Sequence, residues 1–173
     1  MTLWDQLSPP DVPAIQVSLN QGEIQFGIEP TVLVTILGSC VAVCLWDCRR
    51  GVGGMNHFVL PNDPKHERNP RYGDVAIDEL IAGLKRLGSR VTDLQAKVFG
   101  GAAVLPVGGA KSVGTSNVLL ALERLSYERI PVTGRRTGGT LGQQIRFHTK
   151  TGDVFFRYLP GGIRIDDVSP RTL

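Results

Sequence analysis

Two residues of this chain are typed and spaced as a nucleophile and its base. Cys40 stands in Thr35-Ile-Leu-Gly-Ser-Cys-Val-Ala-Val-Cys-Leu45, a glycine-serine kink between two apolar β-type runs, and His57 follows seventeen residues later in Gly53-Gly-Met-Asn-His-Phe-Val-Leu-Pro61. A thiol becomes a strong nucleophile when its proton is drawn off, and imidazole, with an ordinary pKa of about 6.5, is the usual agent. The two segments read as neighbouring strands, so a Cys/His couple is consistent with the spacing. A sharp turn at Gly38-Ser39 would present the sulfur at a strand end and aim backbone N–H groups at a developing oxyanion. The competing reading is structural, because free cysteine is among the most buried residue types and a lone histidine in an apolar strand is commonly core.

The remaining reactive groups carry less. Cys44 lies within an apolar run and is expected in the core, and Cys48 in a turn. Cys40, Cys44 and Cys48 recur every four residues, which would align three thiolates on a helix, but Val-Ala-Val-Cys-Leu-Trp is β-like and structural zinc sites favour other spacings. No metal is expected. His66 and His148 are expected at the surface. Gly100-Gly101 and Gly138-Gly139 lack the residues of a phosphate-binding loop and are expected as tight turns.

These groups need a scaffold, and the composition allows one domain. The chain has 173 residues, 42% of them hydrophobic, with 21 glycines; this is enough for a core with many close backbone approaches. The net charge of +3, with the adjacent basic pairs Arg49-Arg50, Lys85-Arg86 and Arg135-Arg136 scattered along the chain, argues against nucleic acid as a partner. No apolar run approaches a membrane span, and the first residues resemble no secretion signal, so a cytoplasmic location without membrane insertion is expected. Three cysteines clustered in nine residues do not form a disulfide framework.

Residues 1–14 read as an N-terminal arm, 15–165 as a single domain and 166–173 as a C-terminal tail. Weak alternation over Gln16 to Phe26, then Thr31 to Leu37, Val41 to Trp46 and Gly51 to Leu60, reads as strands. Pro61 to Arg71 is a polar loop. Ile77, Leu80, Ile81, Leu84 and Leu87 fall at helical spacing, with Asp74 as a cap and Gly88 as a stop. Leu94 to Phe99 is a further apolar run. A second helix would bury Val118, Leu119, Leu122 and Leu125, with Thr115 or Ser116 as its cap. Ile130 to Arg135, Gln144 to Thr149 and Asp153 to Leu159 return to strands, the last two forming a hairpin. This order predicts an α+β fold of layered sheets.

Several of these segments together resemble the chemoreceptor glutamine deamidase family, CheD. They are Leu37-Gly-Ser-Cys-Val-Ala-Val-Cys-Leu45, Gly54-Met-Asn-His-Phe-Val-Leu-Pro61, Arg71-Tyr-Gly-Asp-Val-Ala-Ile77 and Lys97-Val-Phe-Gly-Gly-Ala102. Weaker matches follow in order at Gly114-Thr-Ser-Asn117, Ile130-Pro-Val132, Gly138-Gly139, Arg146-Phe-His148 and Thr151-Gly-Asp-Val154. The resemblance implies packed mixed β-sheets, sandwich-like, with two or three outer helices, similar to the cytotoxic necrotizing factor deamidases. It also implies a cysteine hydrolase that converts glutamines of methyl-accepting chemotaxis receptors to glutamate without metal or organic cofactor. Its nucleophile maps onto Cys40 and its base onto His57.

One position departs from the family pattern. The threonine that orients the histidine lies six residues before the cysteine, where this chain has Val34, while Thr35 stands at five. A one-residue slip along a strand turns a side chain to the opposite face. Either a bulge restores Thr35 to the site or another group, Asn56 or Ser39, holds His57. Arg135-Arg136-Thr137 before Gly138-Gly139, and Gln143-Gln144, also depart from the pattern in ways that bear on catalysis or receptor choice. The rival expectation is therefore an adaptor that binds receptors or a CheC-type phosphatase and has lost its chemistry.

Overall fold

The structure, a computed structural model, describes residues 15–103 and 112–159. The expected arm at 1–14 and tail at 166–173 lie outside the described residues. In chain order the elements are β1 (Ile15–Ser18), β2 (Ile24–Gly27), β3 (Thr31–Leu37), β4 (Val41–Asp47), β5 (Val52–Asn56), α1 (Gly73–Arg86), a 3-10 turn (Val91–Asp93), β6 (Leu94–Gly100), α2 (Val113–Tyr127), β7 (Val132–Thr137), β8 (Gly142–His148) and β9 (Val154–Leu159). They form a four-stranded sheet in the order β1-β3-β8-β9 and a five-stranded sheet in the order β2-β5-β4-β6-β7. Both sheets are mixed, since β1 runs parallel to β3 and β6 parallel to β7. The fold is α+β, with two mixed sheets and two described helices.

Side-chain alternation explains the layering. On β4, Ala42 and Cys44 point one way and join Leu33 and Leu37 of β3, Ile145 and Phe147 of β8, and Met55 of β5 in a core between the sheets. Val41, Val43 and Leu45 point the other way and pack with Ile77, Leu80 and Leu84 of α1 and Ala121 and Leu125 of α2. A strand buried on both faces reads as a continuous apolar run, which is how Val-Ala-Val-Cys-Leu reads. The central strand of the larger sheet therefore sits between the second sheet and the helices.

Local readings are revised at several points. The alternation over Gln16 to Phe26 is broken into β1 and β2, which join different sheets; between them Asn20 N–H donates to Glu23 Oε2 at 2.8 Å and Gly22 takes φ +83°. Asp74 lies in the first turn of α1 and is not its cap, because its carboxylate accepts the N–H groups of Val75 and Asp63. The cap of α2 is Ser112, whose Oγ accepts from Thr115 N–H at 3.2 Å, and not Thr115 or Ser116. Leu119 is exposed, leaving Ala121 and Leu125 as fully buried residues of that helix face. His148 is buried with its ring edge-on to Phe155, because the β8–β9 hairpin folds over it. The loop after Pro61 is ordered around the Asp63 carboxylate, which accepts N–H groups of Lys65 and Asn69.

Candidate active site

Cys40 immediately precedes β4 and His57 immediately follows β5. These strands run antiparallel with Cys44 opposite Met55, and a bridge further on pairs Val41 with Phe58. Continuing that register puts Ala42 opposite His57 and Cys40 opposite Val59. Cys40 and His57 are then diagonal neighbours on one face, the face turned toward the smaller sheet. Both are buried, with 6% and 4% of their surface exposed.

Thr35 approaches from that smaller sheet. On β3, Leu33, Thr35 and Leu37 point toward the larger sheet, while Val34 lies on the opposite face, where it too is buried. The pairing of β3 with β8 is unbroken from Val32 to Leu37, so no bulge in this strand brings Thr35 in. Its Oγ1 lies 2.7 Å from His57 Nδ1 and donates to the Leu19 carbonyl at 2.8 Å. That pair of contacts determines the histidine tautomer. A hydroxyl has one hydrogen, and a carbonyl can only accept it; with the hydrogen on Leu19 O, Nδ1 must be the donor to Oγ1. Nε2 then carries the lone pair, and it is buried without a hydrogen-bond partner among the described residues.

The other two residues considered for holding His57 do other work. Asn56 is fully buried on the opposite face of β5, where its Oδ1 accepts the Val43 N–H at 2.8 Å. Alternation along the strand keeps it from the imidazole. Ser39 is fixed through its backbone, its carbonyl accepting from Asn117 Nδ2 at 3.1 Å. The His57 backbone is clamped by the turn after β1, donating to the Glu23 carbonyl at 3.1 Å and accepting from Gly22 N–H at 2.7 Å.

Burial sets the charge state of the pair. Loss of solvent pushes the Cys40 thiol up, opposed by the Arg71 charge and by the residue's own N–H. Loss of solvent pushes His57 down to about 4, with Glu23 opposing and Arg71 reinforcing. Both shifts favour the neutral forms. At neutral pH the resting site is a thiol and an unprotonated imidazole on one strand face, with no hydrogen bond from Sγ to Nε2 and no preformed ion pair. Such an arrangement can pass a proton from sulfur to Nε2 once the two groups close to hydrogen-bond distance.

The remaining cysteines are separated from this chemistry. Burial pushes the Cys44 thiol far up, and Cys48 is exposed with Sγ 3.7 Å from the Asp93 carbonyl. A cavity of 310 Å³ borders Cys44, Trp46, Lys97, Phe147 and Gly152, but neither Cys40 nor His57. Among the described residues no cluster of His, Cys, Asp or Glu is arranged to hold a metal ion, and no helix is long and apolar enough to cross a membrane.

Sequence reasoning did not single out Leu19, Arg71 or Asn117. Leu19 contributes only a carbonyl, for which a sequence carries no signal. Arg71 and Asn117 were within reach, since both stand in segments that carry the family resemblance.

The comparisons agree with that resemblance. Residues 59–158 match the family model described as CheD chemotactic sensory transduction. The chain is 53% identical over 149 residues to a probable chemoreceptor glutamine deamidase CheD of Rhodospirillum rubrum, covering 86% of this chain and 85% of that one. It is 48% identical over 145 residues to a probable chemoreceptor glutamine deamidase CheD 1 of Anaeromyxobacter dehalogenans, covering 83% and 85%. Among solved structures, the Bacillus licheniformis hypothetical protein YfiH superposes with a TM-score of 0.44 at 17% identity, covering 68% of this chain and 51% of that one. The extent of identity with its relatives, together with the matched family model, shows that this chain belongs to the CheD family.

Proposed function

We propose that this protein is an amidohydrolase that converts glutamine side chains of chemotaxis receptors to glutamate, with Cys40 as nucleophile, His57 as base and Thr35 as the group that orients the base. The observation that carries the reading is the Thr35–His57 hydrogen bond of 2.7 Å, made by a hydroxyl already committed to Leu19 O. It leaves Nε2 as a free base on the strand face that Cys40 shares.

The reaction follows from these positions. The glutamine carboxamide enters against Cys40, and as sulfur attacks the carbonyl carbon its proton passes to His57 Nε2. Negative charge gathers on the former carbonyl oxygen, where the N–H groups of Ser39 and Cys40 receive it. The imidazolium returns the proton to the departing nitrogen, which leaves as ammonia with the C–N bond. Water, losing a proton to the same imidazole, attacks the thioester; the C–S bond breaks, and the thiol and a glutamate are released. A hydroxyl acceptor on Nδ1 stabilises the imidazolium less than a carboxylate would, which suits a histidine that must give its proton back.

Incubation with a receptor cytoplasmic fragment should add about one dalton per converted glutamine, and Cys40→Ala should abolish the gain by removing the covalent route. No gain with the wild type, or equal gain with the variant, overturns the reading.

A second reading draws on the burial of Cys40. A thiol exposed by 6% and held protonated is also what an adaptor without chemistry would retain while binding receptors or a CheC-type phosphatase. Binding of either partner with no mass gain on any receptor would favour it.

A further inference from the structure

Three successive carbonyls around Cys40 are each held by a donor from the segment after β6 or from α2. The Gly38 carbonyl accepts from Ala102 N–H at 2.8 Å, and the Cys40 carbonyl accepts from Gly101 N–H at 2.8 Å. Between them, the Ser39 carbonyl accepts from the side chain of Asn117 at 3.1 Å. The same amide nitrogen donates its second hydrogen to the Val59 carbonyl at 2.8 Å. Only the NH2 end of the carboxamide can serve two carbonyls, so the orientation of Asn117 is determined. The residue is fully buried on the inner face of α2. Its two bonds tie the residue before Cys40 to the residue two beyond His57.

The consequence lies on the other side of the turn. In a trans peptide the carbonyl of one residue and the N–H of the next point in opposite directions. Holding the Gly38 and Ser39 carbonyls toward β6 and α2 therefore turns the Ser39 and Cys40 N–H groups away from them. Neither N–H has an acceptor on another described residue, the Cys40 N–H facing only its own sulfur. Two fixed amides at the sulfur, neither engaged by another residue, are the composition of an oxyanion site. Ala102 orients the Gly38–Ser39 peptide through its backbone N–H, which no substitution short of proline removes. Asn117 is the side chain on which the Ser39–Cys40 peptide depends.

We propose that Asn117 is a positioning residue for the deamidation reaction: through the Ser39 carbonyl it aims the Cys40 N–H at the oxygen of the bound carboxamide, and through the Val59 carbonyl it keeps that amide in register with His57. The inference rests on the deamidase reading of the site and adds a residue to it. Asn117 touches neither substrate nor sulfur. Its effect is confined to the step in which negative charge appears on oxygen, and this separates it from a residue that merely packs.

The test compares wild type, Asn117→Ala and the isosteric Asn117→Asp, which cannot donate. Receptor-fragment deamidation gives kcat and KM, and iodoacetamide labelling of Cys40 reports a reaction that needs the thiolate but no oxyanion site. Expected is a fall in kcat of about 100-fold, the scale for loss of one oxyanion donor, with KM and the labelling rate each changed less than about threefold. Conversion by the variants within about threefold of wild type overturns the inference alone. A fall in labelling proportional to the fall in kcat assigns Asn117 to general packing and overturns it too. No conversion by the wild type overturns the deamidase reading and the inference with it. Should neither variant fold, the wild-type NMR spectrum decides: both Asn117 side-chain amide protons should exchange slowly, and exchange at the rate of an exposed asparagine overturns the inference.

Discussion

Thr35 lies in the smaller sheet and His57 directly after β5 of the larger one, and the 2.7 Å bond between Oγ1 and Nδ1 links the two layers at the candidate site. The larger sheet supplies the thiol and the imidazole, and the smaller supplies the hydroxyl that selects the tautomer. Thr35→Val should therefore leave the Nδ1–H buried and unpaired, a loss of about 1–3 kcal/mol, and lower kcat by about 100-fold because the reactive tautomer is no longer selected. Thr35→Ser should stay within about tenfold of wild type, since it keeps the hydroxyl. Adding Val34→Thr to Thr35→Val should restore nothing, because position 34 lies on the face of β3 turned away from His57. Recovery in that double variant would show that the strand face has been misassigned.

The pH dependence of stability has a definite sign. His57 is pushed from its ordinary 6.5 to about 4, chiefly by burial, so between those values the unfolded chain binds more protons than the folded one. Stability from this group is complete above about pH 6.5 and is lost as the pH falls toward 4, by about 3 kcal/mol in all. Denaturant titrations at pH 4.5 and 7 should show this loss, and His57→Gln should flatten it. An equal slope in the variant would mean that other groups carry the acid sensitivity.

Thiol labelling should distinguish a neutral resting pair from an ion pair. With Cys40 raised and His57 lowered, iodoacetamide labelling of Cys40 should climb steadily through the alkaline range without a plateau at neutral pH. Exposed Cys48 should label faster than Cys40, and buried Cys44 slower. A plateau from about pH 5 upward would instead reveal a thiolate–imidazolium pair.

Arg71 tunes this chemistry from the rim. Its charge acts on Cys40 in favour of the thiolate and on His57 against the imidazolium, and its guanidinium donates to Gln21 Oε1 at 3.5 Å. Arg71→Ala should slow Cys40 labelling at fixed pH several-fold, Arg71→Lys should do so less, and high salt should shrink the difference by screening the exposed charge. Identical labelling in wild type and Arg71→Ala would remove Arg71 from the site's electrostatics.

Gly100 permits the close approach of β6 to the turn at Cys40. It holds φ +102°, and a Cβ there would overlap the Cys40 carbonyl oxygen. Gly100→Ala should cost about 2 kcal/mol or more in stability from backbone strain alone. It should also reduce deamidation beyond what the stability loss explains, because the displaced carbonyl belongs to Cys40. Gly138→Ala makes the control: its φ is also positive, at +79°, but nothing lies within 4 Å of its Cβ position, so strain should appear there without the additional loss of activity.

What was legible in the sequence was whatever depends on neighbours along the chain. The glycine-serine kink, the apolar runs of β3 and β4, the helical spacing from Ile77 to Leu84 and the turn at Gly88 follow from local sterics and periodicity, and they carried the fold class. Residue type and spacing singled out Cys40 and His57, and the resemblance carried the family and mapped its nucleophile and base onto them. Other features depend on what packs opposite, and only the tertiary structure decided them. Strand alternation says that Val34 and Thr35 face opposite ways but not which of them meets the larger sheet; the packing of that sheet against β3 decided for Thr35. The period that put Leu119 on the helix stripe did not fix how wide the covered stripe would be, and His148 became buried only when β9 folded over β8. The charge state of the Cys40–His57 pair is of the same kind: types and spacing specify an acid beside a base, whereas desolvation, a property of the surrounding layers, sets both neutral at rest.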